Sequence, residues 1–133
     1  MLRIEVRLKN KAGIGRYTNE VSTSKQIRDI FGRSREIFRD TLVKVIPEGD
    51  FLKKDKAIAI IEDEVGNKAL RAKMVRLVEL IPEKKSLQLA QKALKDRTLK
   101  KTMEKFAEIG ISPITLSKRQ EVKKLKSLYE WLD

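Results

Sequence analysis

Residues 57–80, which read AIAIIEDEVGNKALRAKMVRLVEL, decide which fold the sequence predicts. Residues 57–61 form the longest uninterrupted apolar run of the chain and are typical of a buried strand. Gly66 and Asn67 supply a turn signal, and apolar residues then alternate with charged ones as far as Leu80. The pattern predicts a β-hairpin across this stretch. A helix over residues 68–80 remains an open alternative, because few residues there oppose a helix.

The residues before and between these runs predict one helix among short strands. Residues 2–8 alternate apolar with charged side chains, as a half-buried strand does. Residues 41–46 are rich in β-branched residues and end at a proline-glycine turn signal. Between them, a capping-box pattern predicts a helix over residues 24–38, and a break near Gly32 is an open alternative to a continuous helix. Residues 1–82 are therefore expected to form a small, mostly antiparallel sheet with one helix.

After Pro82 the composition becomes basic and the apolar spacing becomes helical. Residues 83–133 carry half of the net charge of the chain. Apolar side chains at helical spacing predict three helices there, near residues 87–94, 99–106 and 117–132. We therefore expect an α+β fold in which residues 1–82 pack with this three-helix C-terminal part as one compact domain.

The composition excludes several classes of protein. No histidine and no cysteine occur among the 133 residues. Cys/His zinc sites, iron–sulfur clusters, disulfide scaffolds, Ser-His-Asp triads and cysteine nucleophiles are therefore ruled out. The first residues lack a signal-peptide core, and no apolar run is long enough to cross a bilayer, so a cytoplasmic protein without a membrane partner is expected. No cofactor and no metal site are predicted.

Positive charge is the strongest functional signal. The chain has 31 lysine and arginine residues against 19 aspartate and glutamate residues, a net charge of +12. Such a charge attracts polyanions, and contacts of lysine and arginine with phosphates release counterions. The sequence therefore predicts a nucleic-acid-binding protein that contacts mainly the phosphate backbone. Duplex DNA is favoured, because the few aromatic residues do not form base-stacking pairs.

Residues 102–121 give a second indication of DNA binding. A predicted helix ends there at Gly110, in a Gly-Ile-Ser-Pro turn, and a basic segment follows. This segment resembles the helix-turn-helix family, in which the helix after a glycine turn enters the DNA major groove. The resemblance implies that the residues after the turn lie near the groove: Ser112, Ile114, Thr115, Ser117, Lys118 and Arg119. An ordinary helix stop with a glycine C-cap explains the same residues.

Two groups of basic residues are the predicted phosphate contacts. The first group lies on the polar side of the predicted last helix and contains Lys118, Arg119, Lys123, Lys124 and Lys126. The second group lies on the predicted helix near the N-terminus and just after it, and contains Arg28, Arg33, Arg35 and Arg39. A basic helix face whose opposite side packs on a core suits phosphate contact, and arginine can hold a phosphate through two N–H groups.

Two other function classes remain open. The apolar stripe of the last helix predicts either packing on the chain's own sheet or a homodimer interface. Its members are Val122, Leu125, Tyr129, Trp131 and Leu132. The first alternative is therefore a small homo-oligomeric structural or interaction protein, such as a virion or nucleoprotein component. The second is a metal-dependent nuclease, because Asp63, Glu83 and Lys85 resemble the catalytic pattern of restriction-like nucleases. No catalytic residues are predicted, and a binding protein is expected rather than an enzyme.

Overall fold

The structure is a computed structural model, and it describes residues 5–131. Within this range the chain forms seven α-helices and one two-stranded antiparallel sheet, so it mixes helix and strand and helix dominates. The chain divides into two compact units, Met1–Lys44 and Val45–Asp133, which we call the N-terminal and C-terminal units. The boundary predicted after residue 82 lies inside a helix of the C-terminal unit.

The N-terminal unit contains three helices, α1 (Lys11–Ile14), α2 (Thr23–Gly32) and α3 (Ser34–Leu42). The predicted helix with a break near Gly32 is confirmed, since α2 and α3 are separated there by a single residue. The loop before α2 is held to that helix through Thr18, whose hydroxyl donates to Asp29 Oδ2 at 2.7 Å.

The strands predicted in the N-terminal unit are wrong where the structure describes them. Residues 5–9 form no strand, and residues 2–4 lie outside the described residues. Thr41 and Leu42 belong to α3, because Leu42 is buried and the Thr41 hydroxyl donates to the Ile37 carbonyl one turn earlier, at 2.9 Å. A strand needs a partner, and none of the described residues of this unit pairs as a strand.

The C-terminal unit is built around its longest helix. Its elements are β1 (Phe51–Leu52), α4 (Lys54–Glu64), α5 (Lys68–Lys84), α6 (Leu87–Leu94), α7 (Leu99–Glu108), β2 (Lys124–Leu125) and a 3₁₀ helix (Leu128–Trp131). Helix α5 packs against α4, α6 and α7. Fully buried side chains such as Ile61, Met74 and Phe106 fill the core between them. None of the described helices has the length and apolar character needed to cross a bilayer.

The β-hairpin predicted across residues 57–80 is wrong, and the open alternative of a helix over residues 68–80 is confirmed. Ala57, Ile61 and the C-cap residue Val65 are buried at a spacing of four, which gives α4 one buried side, whereas Ala59 within the apolar run is exposed. The Gly-Asn signal marks a helix start, because the Asn67 side chain accepts the Leu70 N–H at 3.0 Å.

Pro82 does not end the helix in which it lies. Helix α5 continues through it to Lys84, and the chain leaves the helix at Lys85, which adopts a left-handed conformation at φ 55°. A proline in the last turn removes one helical hydrogen bond close to the end, where little helix follows it. The change of structure predicted at Pro82 therefore does not occur, because helix both precedes and follows this residue.

The predicted last helix and the helix-turn-helix are also wrong. After α7 the chain turns at Gly110, and residues 111–127 are irregular except for β2. We call residues 109–131 the C-terminal arm. Its N–H groups bond to the segment around β1, as Ser112 N does with Asp50 O at 2.9 Å and Leu116 N with Leu52 O at 2.8 Å. The sheet consequently pairs β1 with β2 instead of lying within residues 1–82, and as far as Trp131 two α-helices, not three, follow α5.

A buried carboxylate ties the start of α7 to α5. The side chain of Asp96 is only 6% exposed, and its Oδ1 accepts from Lys73 Nζ at 2.8 Å and from Thr98 N at 2.9 Å. The Thr102 hydroxyl, also buried, lies 3.4 Å from Oδ2. The hydrogen bonds from Lys73 and from the Thr98 backbone lower the pKa of Asp96 to about 2.

We expect Asp96 to make the stability of the C-terminal unit depend on pH. Its pKa lies below the ordinary value of 3.8, so ionised Asp96 stabilises the fold above pH 3.8, and this contribution is lost as the pH falls toward 2. Urea denaturation of Asp96→Asn should show a lower midpoint at neutral pH and a smaller loss of stability on acidification. Asp63→Asn, at an exposed carboxylate, should keep the wild-type profile. An unchanged pH profile in Asp96→Asn would contradict the prediction.

Candidate nucleic-acid interface

Lys118 and Arg119 lie at the tip of a braced turn of the C-terminal arm. The turn is closed by Gln120 N, which donates to Ser117 O at 3.2 Å, and by Ser117 N, which donates to Gln120 Oε1 at 3.0 Å. Lys53 Nζ donates to the carbonyls of Ser117 and Gln120, both at 2.5 Å. We call residues 117–120 the basic turn. These bonds fix the backbone of two predicted phosphate contacts although no helix carries them.

The basic turn borders a groove of about 610 Å³, which we call the basic groove. Five apolar residues contribute to its lining: Ile81, Pro82, Leu87, Ile114 and Leu116. Four cationic residues also line it: Lys54, Lys85, Lys118 and Arg119. No aspartate or glutamate of the described chain is among the lining residues. The nearest ionic neighbour of Lys54 is Glu79, with Nζ and Oε1 4.0 Å apart. Positive charge in the groove is therefore only weakly compensated.

Two cations of the basic groove, Lys54 and Lys85, were not among the predicted phosphate contacts, and Lys85 was named only for the nuclease alternative. Lys54 is the first residue of α4, and Lys85 is the left-handed residue that ends α5. Helix ends that are distant in sequence share no spacing pattern with residues 118 and 119. Only the pairing of the C-terminal arm with the segment around β1 brings these residues to one groove.

The other predicted cations of the C-terminal arm differ in how far their charge is compensated. Lys124 Nζ lies 2.6 Å from Asp50 Oδ2. Lys126 Nζ lies 3.0 Å from Glu130 Oε2, and this hydrogen bond raises the pKa of Lys126. Lys123 is exposed and has no ionic partner among residues 5–131. Lys123 therefore resembles the basic turn in carrying an uncompensated charge, whereas the other two are paired.

The serine and threonine residues that the helix-turn-helix resemblance places near the DNA groove differ in burial and in their hydrogen bonds. Ser112 is fully buried and its Oγ accepts the Ile114 N–H at 3.2 Å, so its side chain does not reach the surface. The Ser117 Oγ accepts the Arg119 N–H at 3.3 Å and helps to hold the basic turn. Thr115 is half-buried and lines the basic groove.

The predicted arginines of the N-terminal unit do not form one face. Arg28 and Arg33 line a cleft of about 930 Å³, together with the acidic residues Glu20 and Asp29. The Arg33 guanidinium lies 5.6 Å from the centre of the Tyr17 ring and donates to the Glu36 carboxylate at 2.6 and 2.8 Å. Arg35 and Arg39 lie on α3 and do not line the cleft. The carboxylates leave this cleft less positive than the basic groove.

The predicted homodimer stripe does not lie on one helix face. Tyr129 is buried and its hydroxyl donates to the Ile46 carbonyl. Val122, Leu125 and Trp131 are exposed, Trp131 to 79%, and Leu132 lies outside the described residues. Self-association stays a prediction, which the mass of wild type and Trp131→Ala measured by light scattering would test.

The residues of the nuclease alternative do not meet at one site. Asp63 lies near the end of α4, and Glu83 lies on α5 instead of following a strand. The Glu83 carboxylate is 2.7 Å from Lys84 Nζ, whose hydrogen bond lowers the pKa of Glu83. Residues 5–131 contain no group of three or more carboxylates that could share a metal ion.

The basic turn and the basic groove thus combine two predicted cations with two that only the fold reveals. Their charge and exposure suit the binding of an anionic ligand. No protein family, curated protein or solved structure matches this chain.

Proposed function

We propose that the protein binds nucleic acid through phosphate contacts centred on the basic turn. The observation that carries this proposal is the placement of Lys118 and Arg119 on a braced turn beside Lys54 and Lys85, in a groove that no described carboxylate lines. Weakly compensated cations on a fixed backbone attract phosphates and lose little freedom on binding. The exposed Lys123 lies farther along the same arm and extends the positive surface.

The lining of the groove favours backbone contacts over base stacking. No aromatic residue of the described chain lines the basic groove, whereas proteins that bind single strands stack bases on aromatic rings. Phosphate contacts alone are independent of sequence and depend strongly on salt. We therefore propose duplex DNA as the first ligand to test, with duplex RNA and single-stranded DNA beside it.

Neutralising the basic turn is expected to weaken DNA binding and its dependence on salt. In Lys118→Gln/Arg119→Gln two phosphate contacts are lost, so the slope of log affinity against log salt concentration should decrease in magnitude by about two. The measurement is a fluorescence-anisotropy titration of labelled duplex DNA at several salt concentrations.

The matched control removes the same charge from paired cations. Lys124→Gln/Lys126→Gln also lowers the net charge by two, but these side chains already contact Asp50 and Glu130. We expect this variant to keep nearly the wild-type slope. Equal weakening in both variants would mean that binding follows net charge and not the basic turn. Absence of binding by the wild type at low salt would refute the proposed function.

A further inference from the structure

The apolar lining of the basic groove is a feature that phosphate binding does not use. Pro82 is exposed and Ile114 is half-buried, and both lie beside the more deeply buried Leu87 and Leu116. Exposed phosphates are contacted by cations and N–H groups, which need no aliphatic surface beneath them. An aliphatic lining beside four cations instead suits a ligand that carries both apolar groups and negative charges.

Two kinds of ligand carry both apolar groups and negative charges, namely an unpaired nucleotide and an acidic peptide, and the chemistry of the lining distinguishes them. An unpaired nucleotide offers a planar base, which binds best to aromatic rings or to the plane of an arginine. The lining offers aliphatic side chains and a proline ring, no aromatic residue of the described chain, and one arginine, Arg119, on the exposed basic turn at its border. Leucine, isoleucine or valine side chains of a peptide match this surface, and aspartate or glutamate side chains match Lys54, Lys85, Lys118 and Arg119.

We infer that the basic groove binds an acidic peptide segment with aliphatic side chains, supplied by a partner protein. The aliphatic side chains lie against Pro82 and Ile114, and the carboxylates pair with the cations of the groove. This inference goes beyond the proposed nucleic-acid binding, but the two ligands share Lys118 and Arg119. Because one cation cannot serve both ligands fully, the peptide and duplex DNA should compete, so such a partner would release bound nucleic acid.

The test uses the full chain and three labelled peptides. The probe peptide has leucines separated by pairs of glutamates, one control has serine in place of every leucine, and the other has lysine in place of every glutamate. Fluorescence anisotropy should show binding of the probe, binding of the serine control that is weaker by about tenfold or more, and no binding of the lysine control. Unlabelled probe should displace labelled duplex DNA from the protein.

Two variants of the groove lining separate peptide binding from nucleic-acid binding. Pro82→Gln removes an exposed apolar ring and introduces a residue that is suited to a helix. Ile114→Ala shortens a half-buried side chain. Each substitution should lower the affinity for the probe peptide by roughly five- to tenfold and leave the affinity for duplex DNA unchanged. Leu89→Gln is the matched control, because Leu89 is 53% exposed on α6 and does not line the groove.

The results that overturn the inference differ from those that overturn the proposed function. Equal affinity for the leucine and serine peptides, or wild-type affinity in both lining variants, would refute the peptide site. If the lining variants weakened the binding of single-stranded DNA and the probe peptide did not bind, the groove would bind unpaired nucleotides instead of a peptide. If the protein bound the probe peptide but no nucleic acid, the peptide site would be supported and the proposed function would be refuted. Pro82→Gln keeps the test decisive if Ile114→Ala unfolds.

Discussion

Gly49→Ala is expected to destabilise the C-terminal unit by about 3–5 kcal/mol, because a side chain at this position has no space and no allowed backbone conformation. Gly49 has a φ of 110°, a region that other residues rarely adopt. A Cβ there would lie 2.6 Å from the Ile111 carbonyl oxygen and even closer to its carbonyl carbon. Both are backbone atoms, so the C-terminal arm itself would have to move.

The displacement should break the pairing that follows Gly49. Asp50 N donates to Gly110 O and Ser112 N donates to Asp50 O, both at 2.9 Å, and both bonds require the close approach of the two backbones. Because the basic turn lies farther along the same arm, we also expect Gly49→Ala to weaken duplex DNA binding if that binding uses the turn.

Two other glycines separate the effect of space from that of conformation. Gly110 has a φ of 71° but open space around its Cβ position, so Gly110→Ala should cost about 1–2 kcal/mol. Gly66 has neither constraint, so Gly66→Ala should be nearly neutral. Urea denaturation followed by circular dichroism reports the loss of helix, and four of the seven described α-helices lie in the C-terminal unit. A loss of stability in Gly49→Ala no larger than in Gly110→Ala would refute the close approach.

Phe106→Ala is expected to have the second large effect, a loss of about 3–5 kcal/mol in the free energy of unfolding. Phe106 has no exposed surface and lies in the core cluster that also contains Met74 and Leu77 of α5. Its removal leaves a cavity between helices that are close-packed, and the surrounding side chains can fill that cavity only in part.

The control for this cavity is a truncation at an exposed position of the same unit. Leu89→Ala on α6 removes an apolar side chain that is 53% exposed, so its effect should stay within about 0.5 kcal/mol. Urea denaturation curves of both variants give the comparison. If Phe106→Ala were as stable as Leu89→Ala, the position of Phe106 in the core would be wrong.

Local signals in the sequence were enough to predict several helices. The break between α2 and α3 follows from the low helix propensity of Gly32, and the existence of α6 and α7 follows from the apolar spacing within each segment. The run of five apolar residues at 57–61 carried no such information, because a short apolar run fits a buried strand and a buried helix equally well. Burial of Ala57 and Ile61 one turn apart on α4, beside α5, resolves the ambiguity in favour of helix.

The C-terminal arm shows where tertiary contacts override a helical pattern. The spacing from Val122 to Tyr129 fits a helix, yet β2 pairs with β1, and Ser127 N donates to Asp50 Oδ1 at 3.0 Å. These bonds satisfy backbone groups that a helix would otherwise pair, and their partners lie more than seventy residues earlier in the chain. No local pattern can contain such information.

By itself, the sequence determined the charge of the protein, the exclusion of histidine and cysteine chemistry, and the helices whose apolar spacing is local. Lys118 and Arg119 could be chosen as binding candidates from charge alone. Only the tertiary structure decided that they lie on a turn held by Lys53 and share a groove with Lys54 and Lys85. The physical reason is that charge and helix capping depend on neighbouring residues, whereas a groove depends on backbone pairing between segments distant in sequence.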